Sequence, residues 1–185
     1  MDQVLLAIDQ GTSSTKTIAF APDATILASA TEPLETRYTA DGRAEQDPEA
    51  IYRSVIAAVR ATVELLESER GIPRSAIAGV GIANQRETFV LWERDGNPLH
   101  DAVVWQCKRS TAICDELAKA GAEAEVRARS GLIIDPYFSG TKVTWLVRNV
   151  PAVREAHDRG EALFGTVDSW LLYRLTGGRV HATDM

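Results

Sequence analysis

Short blocks of apolar residues separated by polar turns dominate the start of the chain. Residues 4–8 form an apolar run with the length of a buried strand, and residues 16–20 and 25–30 repeat the pattern. Between them lie turn-forming sequences, residues 9–15 and the Pro22-Asp23 pair. Three short strands joined by tight turns predict that the fold opens with an antiparallel meander.

A long amphipathic helix is the next strong prediction. Asp47 has the chemistry of an N-cap, and Pro48 is favoured at the first helical position. Apolar residues then recur at helical spacing, which places them on one face: Ile51, Val55, Ile56, Val59, Val63 and Leu66. Gly71 and Pro73 predict the end of the helix.

The remaining sequence alternates predicted strands and helices. The predicted strands are 77–83, 88–92, 103–105 and 163–167, and the predicted helices are 109–129 with a break near Gly121, 139–149, 151–159 and 168–175. Residues 32–46 are polar and are predicted to be irregular. A hairpin region followed by alternating elements predicts an α/β domain with a mixed sheet.

Composition and charge narrow the classes of function. The chain has 185 residues, 45% of them hydrophobic, and a net charge of −6, which suits one globular domain and argues against a nucleic-acid partner. No apolar stretch is long enough for a membrane span, and the front of the chain does not resemble a signal peptide. Cys107 and Cys114 match no usual zinc or disulfide pattern, which favours free thiols and a cytoplasmic location.

The segment from Asp9 to Lys16 is a candidate phosphate-binding turn. Gly11 allows close backbone approach to a ligand, Lys16 offers a positive charge, and Asp9 could bind Mg²⁺ directly or through water. Hydroxyl groups come from four consecutive residues: Thr12, Ser13, Ser14 and Thr15. The spacing is not that of a Walker A loop, and an ordinary hairpin turn remains an alternative.

Arg86 and Glu87 form a candidate hydroxyl-binding pair. They follow a predicted buried strand, where α/β proteins commonly place ligands. A guanidinium can donate two hydrogen bonds to neighbouring hydroxyl groups, and a carboxylate can accept from the same hydroxyls. A solvated ion pair on a surface loop is the alternative.

Two aromatic residues could form the wall of such a site. The indole of Trp105 can pack against the carbon face of a polyol, and the hydroxyl of Tyr137 could contact a substrate. The alternatives are that Trp105 is a core residue and that Tyr137 belongs to a rigid loop at the entry of a helix.

Several motifs, taken in order, resemble the glycerol kinase branch of the FGGY carbohydrate kinases. They are IDQGTSS at 8–14, EQDP at 45–48, NQRET at 84–88, VWQ at 104–106, GLIIDPYFSGTK at 131–142, FGTVDSWLL at 164–172 and LTGG at 175–178. The Asp-x-Gly-Thr turn occurs across the wider superfamily. The Arg-Glu pair and the segment 135–142 are specific to the glycerol kinase branch.

The resemblance implies a fold, a substrate and a nucleotide. It implies a ribonuclease-H-like domain of the actin and hexokinase type, with substrate and ATP meeting in a cleft between two such domains. Glycerol would be bound by Arg86 and Glu87, with Trp105 and Tyr137 lining the same pocket. The turn would meet the phosphates of ATP through Gly11, Thr12, Ser13, Ser14 and Lys16, with Asp9 near Mg²⁺.

The resemblance also implies ATP-dependent phosphorylation of glycerol to glycerol 3-phosphate by the complete protein, with homo-oligomer formation possible. Residues 1–185 would be the N-terminal domain, incomplete at its C-terminal end. The family's catalytic Asp and second domain would lie beyond Met185, so no catalytic residue is expected within the chain. Lys16 stands where glycerol kinases usually have Arg. A kinase of another sugar and a non-catalytic polyol- or partner-binding fragment remain alternatives.

Overall fold

The computed structural model describes residues 3–184. The contacts between residues divide the chain into two compact units. The first unit contains residues up to Thr36 together with Asp47–Gln85, and the second contains Arg37–Gln46 together with the residues from Arg86 onward. The strands are β1 Val4–Gln10, β2 Ser14–Phe20, β3 Ile26–Pro33, β4 Arg37–Tyr38, β5 Ala44–Gln46, β6 Ile77–Asn84, β7 Phe89–Trp92, β8 Ala102–Val103 and β9 Leu163–Thr166. The helices are α1 Pro48–Arg70, α2 Thr111–Lys119, α3 Glu123–Ser130, α4 Ser139–Asn149, α5 Pro151–Asp158 and α6 Val167–Leu175, with a short 3-10 turn at Arg74–Ala76.

The sheet of the first unit has the strand order β3-β2-β1-β6. Both hairpin pairings are antiparallel, which confirms the predicted meander, whereas β1 and β6 are parallel. The sheet is therefore mixed, as predicted. Because β1 continues to Gln10 and β2 begins at Ser14, the turn between them is shorter than the sequence predicts.

Helix α1 covers one face of this sheet and has the predicted ends. Asp47 caps it by accepting a hydrogen bond from the Glu49 amide at 2.8 Å, and Gly71 ends it in the left-handed conformation. Two buried polar contacts join helix and sheet: the Thr15 and Ser54 hydroxyls are 2.7 Å apart, and Thr62 donates to the Thr17 carbonyl. The helix therefore contacts β2 through hydroxyl groups as well as through its apolar stripe.

The second unit contains a five-stranded sheet with the order β4-β5-β8-β7-β9. The prediction that residues 32–46 are irregular is wrong, because β3 reaches Pro33 and both β4 and β5 lie in this range. β5 is a short polar strand whose partner is β8, so its pairing depends on residues distant in the sequence. All pairings in this sheet are antiparallel.

The helices of the second unit agree closely with those predicted from the sequence. The long predicted helix is divided into α2 and α3, with Gly121 in the left-handed conformation between them. Cys107 and Cys114 are free and buried, as predicted. Among residues 3–184, no helix is both long enough and apolar enough to cross a membrane.

Two groups of buried side chains form the core of the second unit. One group surrounds Phe89, Val103 and Leu146. In the other, the fully buried Trp92 packs against Trp170 and Tyr173, with ring centroids 5.3 and 5.5 Å away. This aromatic packing holds α6 against strand β7, which lies between β8 and β9 in the sheet.

Candidate functional site

The β1–β2 turn is tightly built. The Gly11 amide donates to the Ser14 carbonyl at 2.9 Å, and a Cβ on Gly11 would lie only 3.1 Å from that oxygen. Two buried glutamines support the turn: Gln10 donates to the Gly11 carbonyl, and the Gln85 amide donates to the Gln10 carbonyl at 2.7 Å. These hydrogen bonds fix the conformation of the turn, and no sequence pattern indicated the supporting role of either glutamine.

The side chains of the turn are open to solvent to different degrees. Asp9, Ser13 and Lys16 are exposed, whereas Thr12 and Ser14 are half-buried. Asp9 and Lys16 are cross-strand partners, so their side chains project from the same face of the sheet. A carboxylate and an ammonium group therefore lie beside the hydroxyl-rich turn.

The Asp9 carboxylate does not belong to a preformed metal cage. Within residues 3–184 no group of three or more His, Cys, Asp or Glu side chains is placed to hold a metal ion. Mg²⁺ commonly keeps several waters and binds proteins through one or two carboxylates together with substrate phosphates. A single exposed carboxylate beside a candidate phosphate-binding turn is compatible with that mode of binding.

Glu87 has an unusual backbone conformation. Its φ is 64°, in the left-handed region that non-glycine residues seldom adopt and that is often found at functional sites. Its Oε2 accepts a hydrogen bond from the Ser139 amide at 3.2 Å, and the Ser139 hydroxyl lies 2.9 Å from Oε2 and 3.0 Å from the Glu87 carbonyl oxygen. Because Ser139 begins α4, the carboxylate lies at a helix N-terminus, where negative charge is favoured.

The left-handed backbone conformation of Glu87 should favour glycine over alanine at this position. We expect Glu87→Gly to be more stable than Glu87→Ala by about 1 kcal/mol, because both lose the carboxylate but only glycine adopts this φ without strain. Chemical denaturation of the two variants measures the difference. At the exposed helical position Ala128, the order must reverse, with glycine less stable than alanine. Equal stability of the two Glu87 variants would contradict the strain.

Arg86 is exposed, and with the described residues it forms no hydrogen bond or ion pair. The predicted alternative, a solvated Arg86–Glu87 ion pair, is therefore absent from the described part of the chain. The guanidinium retains its donors for a ligand.

Trp105 and Tyr137 meet as an aromatic pair. Their ring centroids are 5.6 Å apart at an interplanar angle of 59°. Both rings are partly exposed, and they line a cavity of about 340 Å³ together with Asp135 and Pro136. The Trp105 amide donates to the Thr88 hydroxyl at 3.1 Å, which ties this loop to the residue after Glu87. Trp105 therefore packs partly against the core around Phe89 and partly lines this cavity.

Lys142, on α4, lies behind the aromatic pair. Its side chain is fully buried, and Nζ donates to the carbonyl oxygens of Val104, Trp105 and Tyr137 at 3.3, 2.9 and 2.9 Å. Burial lowers the pKa of Lys142 to about 8, because an apolar environment disfavours the ammonium form. Sequence reasoning named Lys142 as part of a motif and missed its burial.

The lowered pKa of Lys142 predicts how stability depends on pH. Below about pH 8 the native and unfolded states both hold this proton, so the cost of burying the charge is fully present. Between about pH 8 and the ordinary lysine pKa of 10.5 the native state releases the proton first, so stability rises with pH. Relative to Lys142→Met, we expect a gain of about 2 kcal/mol between about pH 7 and about pH 9.5. Denaturation of both proteins across this range measures it, and parallel profiles would contradict the shift.

The structure thus connects three of the predicted polyol residues through one network in the second unit. Ser139 holds Glu87, Thr88 holds the Trp105 loop, and Lys142 holds both aromatic loops. Arg86 precedes Glu87 directly in the chain. The predicted phosphate turn belongs to the first unit.

Comparisons with known proteins identify the family of this chain. The family model described as "FGGY family of carbohydrate kinases, N-terminal domain" matches residues 4–185. This chain belongs to the FGGY family. Among curated relatives, a glycerol kinase of Rhodopseudomonas palustris is 49% identical over 181 residues, and one of Leptothrix cholodnii is 51% identical over 182 residues.

These FGGY relatives are much longer than the chain. The matches cover 97% and 98% of this chain but only 35% and 36% of the two relatives, so the chain spans about a third of their length. A solved structure of Plasmodium falciparum glycerol kinase with ADP superposes with a TM-score of 0.78 at 29% identity. It is covered to 34% of its length, by 95% of this chain.

The fold is shared more widely than the sequence. A solved xylulose kinase of Rhodospirillum rubrum superposes with a TM-score of 0.82 at 21% identity, over 92% of this chain and 33% of that one. These FGGY neighbours confirm the predicted ribonuclease-H-like α/β fold with a mixed sheet. Because a pentulose kinase fits as well as a glycerol kinase, the fold alone does not select a substrate.

Proposed function

We propose that the complete protein transfers a phosphoryl group from ATP to a hydroxyl of glycerol, forming glycerol 3-phosphate. The proposal rests on the network that brings Glu87, Trp105 and Tyr137 together beside Arg86, whose guanidinium makes no contact with other described residues. The chain's roughly 50% identity to curated glycerol kinases over nearly its whole length supports the same substrate.

The proposed pocket matches glycerol group by group. Arg86 donates two hydrogen bonds to neighbouring hydroxyls, because its planar guanidinium presents paired donors. Glu87 accepts from one of these hydroxyls, with its carboxylate held in place by Ser139. The ring of Trp105 packs against the carbon backbone of glycerol, and Tyr137 closes the same side. Ordered groups of this kind bring the attacking hydroxyl to a fixed position.

The β1–β2 turn supplies part of the nucleotide-binding surface in this proposal. Gly11 permits close approach of the phosphates, the turn hydroxyls of Thr12, Ser13 and Ser14 donate to them, and Lys16 adds a positive charge. Asp9 would hold Mg²⁺ through its carboxylate. Bound there, Mg²⁺ would neutralise charge on the phosphates during transfer.

The chain provides positioning rather than proton transfer in this proposal. We assign Arg86 and Glu87 to binding rather than to proton transfer, because a guanidinium stays protonated and Glu87 Oε2 already accepts hydrogen bonds from Ser139. We place the base in the part of the protein that corresponds to the remaining two thirds of its relatives. Residues 1–185 then act as the N-terminal portion of the enzyme, and we expect no turnover from them alone.

A substrate panel on the full-length protein tests the proposal. Purified protein with Mg²⁺ and ATP is offered glycerol, xylulose, ribulose and gluconate, and the phosphorylated product is identified by NMR. We expect kcat/KM for glycerol to exceed that for each sugar by about 100-fold or more, since a site built to bind particular hydroxyls rejects substrates that leave its polar groups unpaired.

Each alternative function predicts its own result in this panel. A higher kcat/KM for a pentulose would identify a kinase of another sugar. Saturable glycerol binding without ADP formation would identify a non-catalytic polyol-binding protein. Either outcome would contradict the proposal.

A further inference from the structure

We propose that Lys142 is a positioning residue that sets the spacing of the Trp105 and Tyr137 rings and thereby the affinity for the polyol. The effect on polyol affinity rests on the proposed function. The structural part of the inference, the control of the aromatic pair by one buried side chain, can be tested without any substrate.

The ammonium of Lys142 joins two loops that are separate in the sequence. Its partners Val104 and Trp105 follow strand β8, whereas Tyr137 lies in the loop that leads into α4. Each loop contributes one ring to the aromatic pair, and each is held at the backbone carbonyl of that same aromatic residue. A shift of either loop relative to Nζ therefore changes the distance between the rings.

The number of donors on Lys142 excludes direct contact with a ligand. An ammonium group has three N–H donors, and three carbonyl oxygens lie within 3.3 Å of Nζ. The side chain is also fully buried. Lys142 consequently acts on a ligand only through the two loops that it holds.

The surroundings of Lys142 partly offset the cost of burying its charge. Burying an ammonium group is costly unless its donors are satisfied. Four titratable or charged groups influence this one: Glu87, Asp135 and Cys107 favour its charged form, whereas Arg109 disfavours it. No carboxylate forms a direct ion pair with Nζ in the described residues, so the carbonyl oxygens are its bonding partners. Substitution by an apolar side chain of similar length would remove the burial cost and also release both loops.

The experiment uses the full-length protein labelled with 5-fluorotryptophan and compares Lys142→Met with Lys119→Met. Lys119 is an exposed lysine at the end of α2 and serves as the matched control. In ¹⁹F NMR spectra we expect the Trp105 resonance to shift or broaden in Lys142→Met, with the Trp92 and Trp170 resonances unchanged. Lys119→Met should leave all of them unchanged.

Kinetics separate positioning from a general loss of stability. We expect Lys142→Met to raise KM for glycerol about tenfold or more and to change kcat less than about threefold, because misplaced binding groups weaken substrate capture. A purely structural role would lower the melting temperature and the amount of active enzyme, but KM of the remaining folded enzyme would stay constant.

A folded Lys142→Met protein with an unmoved Trp105 resonance and an unchanged KM overturns the inference. If the unsubstituted protein fails to phosphorylate glycerol, the proposed function is wrong, and the ¹⁹F spectra still decide the role of Lys142. If Lys142→Met does not fold, Lys142→Gln, whose amide keeps two N–H donors, replaces it in the same spectra and kinetics. An unmoved Trp105 resonance and an unchanged KM in folded Lys142→Gln overturn the inference.

Discussion

Replacing Arg86 by alanine will lower kcat/KM for glycerol by about 1,000-fold. The side chain is exposed and has no partner among the described residues, so its removal costs little stability. In the proposed site the substitution would remove two charged hydrogen bonds to glycerol, together worth about 4 kcal/mol, or about three factors of ten. Steady-state kinetics on the full-length protein, with direct glycerol binding by calorimetry, measures the loss.

Two further arginine variants test whether the loss is specific to the forked geometry and the position of Arg86. Arg86→Lys keeps the charge but loses the forked geometry, so its kcat/KM should fall between those of the unsubstituted protein and Arg86→Ala. Arg60→Ala removes an exposed arginine from α1 and should change neither activity nor binding. If Arg86→Ala retains kcat/KM within about threefold, the assignment of Arg86 to the glycerol site fails.

Substituting Gly165 by alanine will destabilise the second unit by about 3 kcal/mol. Gly165 is buried in β9, and an added Cβ would lie 2.4 Å from the Ser169 Cβ and 2.9 Å from the Trp92 ring. Trp92 is fully buried against Trp170 and Tyr173, so it has little room to move. Overpacking of such a core forces backbone shifts.

Intrinsic fluorescence is a suitable probe for this variant, because all four tryptophans belong to the second unit. Gly140→Ala is the control, since a Cβ at Gly140 meets nothing within 4 Å, and its unfolding transition should not move to lower denaturant. Adding Ser169→Gly to Gly165→Ala removes the nearest clash and should restore part of the stability. A Gly165→Ala transition that coincides with that of the unsubstituted protein would show that β9 and α6 separate easily.

Local chemistry explains which elements were predictable from the sequence. The ends of α1 follow from Asp47, Pro48 and Gly71, each of which acts within one turn of its own position. The division between α2 and α3 follows in the same way from Gly121. Such signals need no knowledge of the rest of the fold.

The elements that sequence analysis missed depend on distant partners. Strand β5 is short and polar, and it exists because it pairs with β8 on one side and β4 on the other. Arg37 and Tyr38 of β4 carry no strand periodicity that a local pattern could detect. Such strands become visible only when their neighbours in the sheet are known.

In the candidate site, too, local sequence indicated the residue types, whereas distant contacts determine the conformations. The residue types of Arg86, Glu87, Trp105 and Tyr137 suggested polyol chemistry, and the family resemblance gave them an order. The conformation of Glu87 and the burial of Lys142 could not be predicted, because both depend on contacts between loops. Sequence therefore named the groups expected to contact substrate, and the structure added the groups that hold them.

One edge of the first sheet affects how this protein behaves at high concentration. Strand β6 ends the strand order, and within residues 3–184 it pairs only with β1. Leu5 and Val80 beside this edge are 52% and 57% exposed. An open strand edge with apolar neighbours is a template on which another copy can add its own strand. An uncovered β6 would therefore favour strand addition between copies as the protein concentration rises.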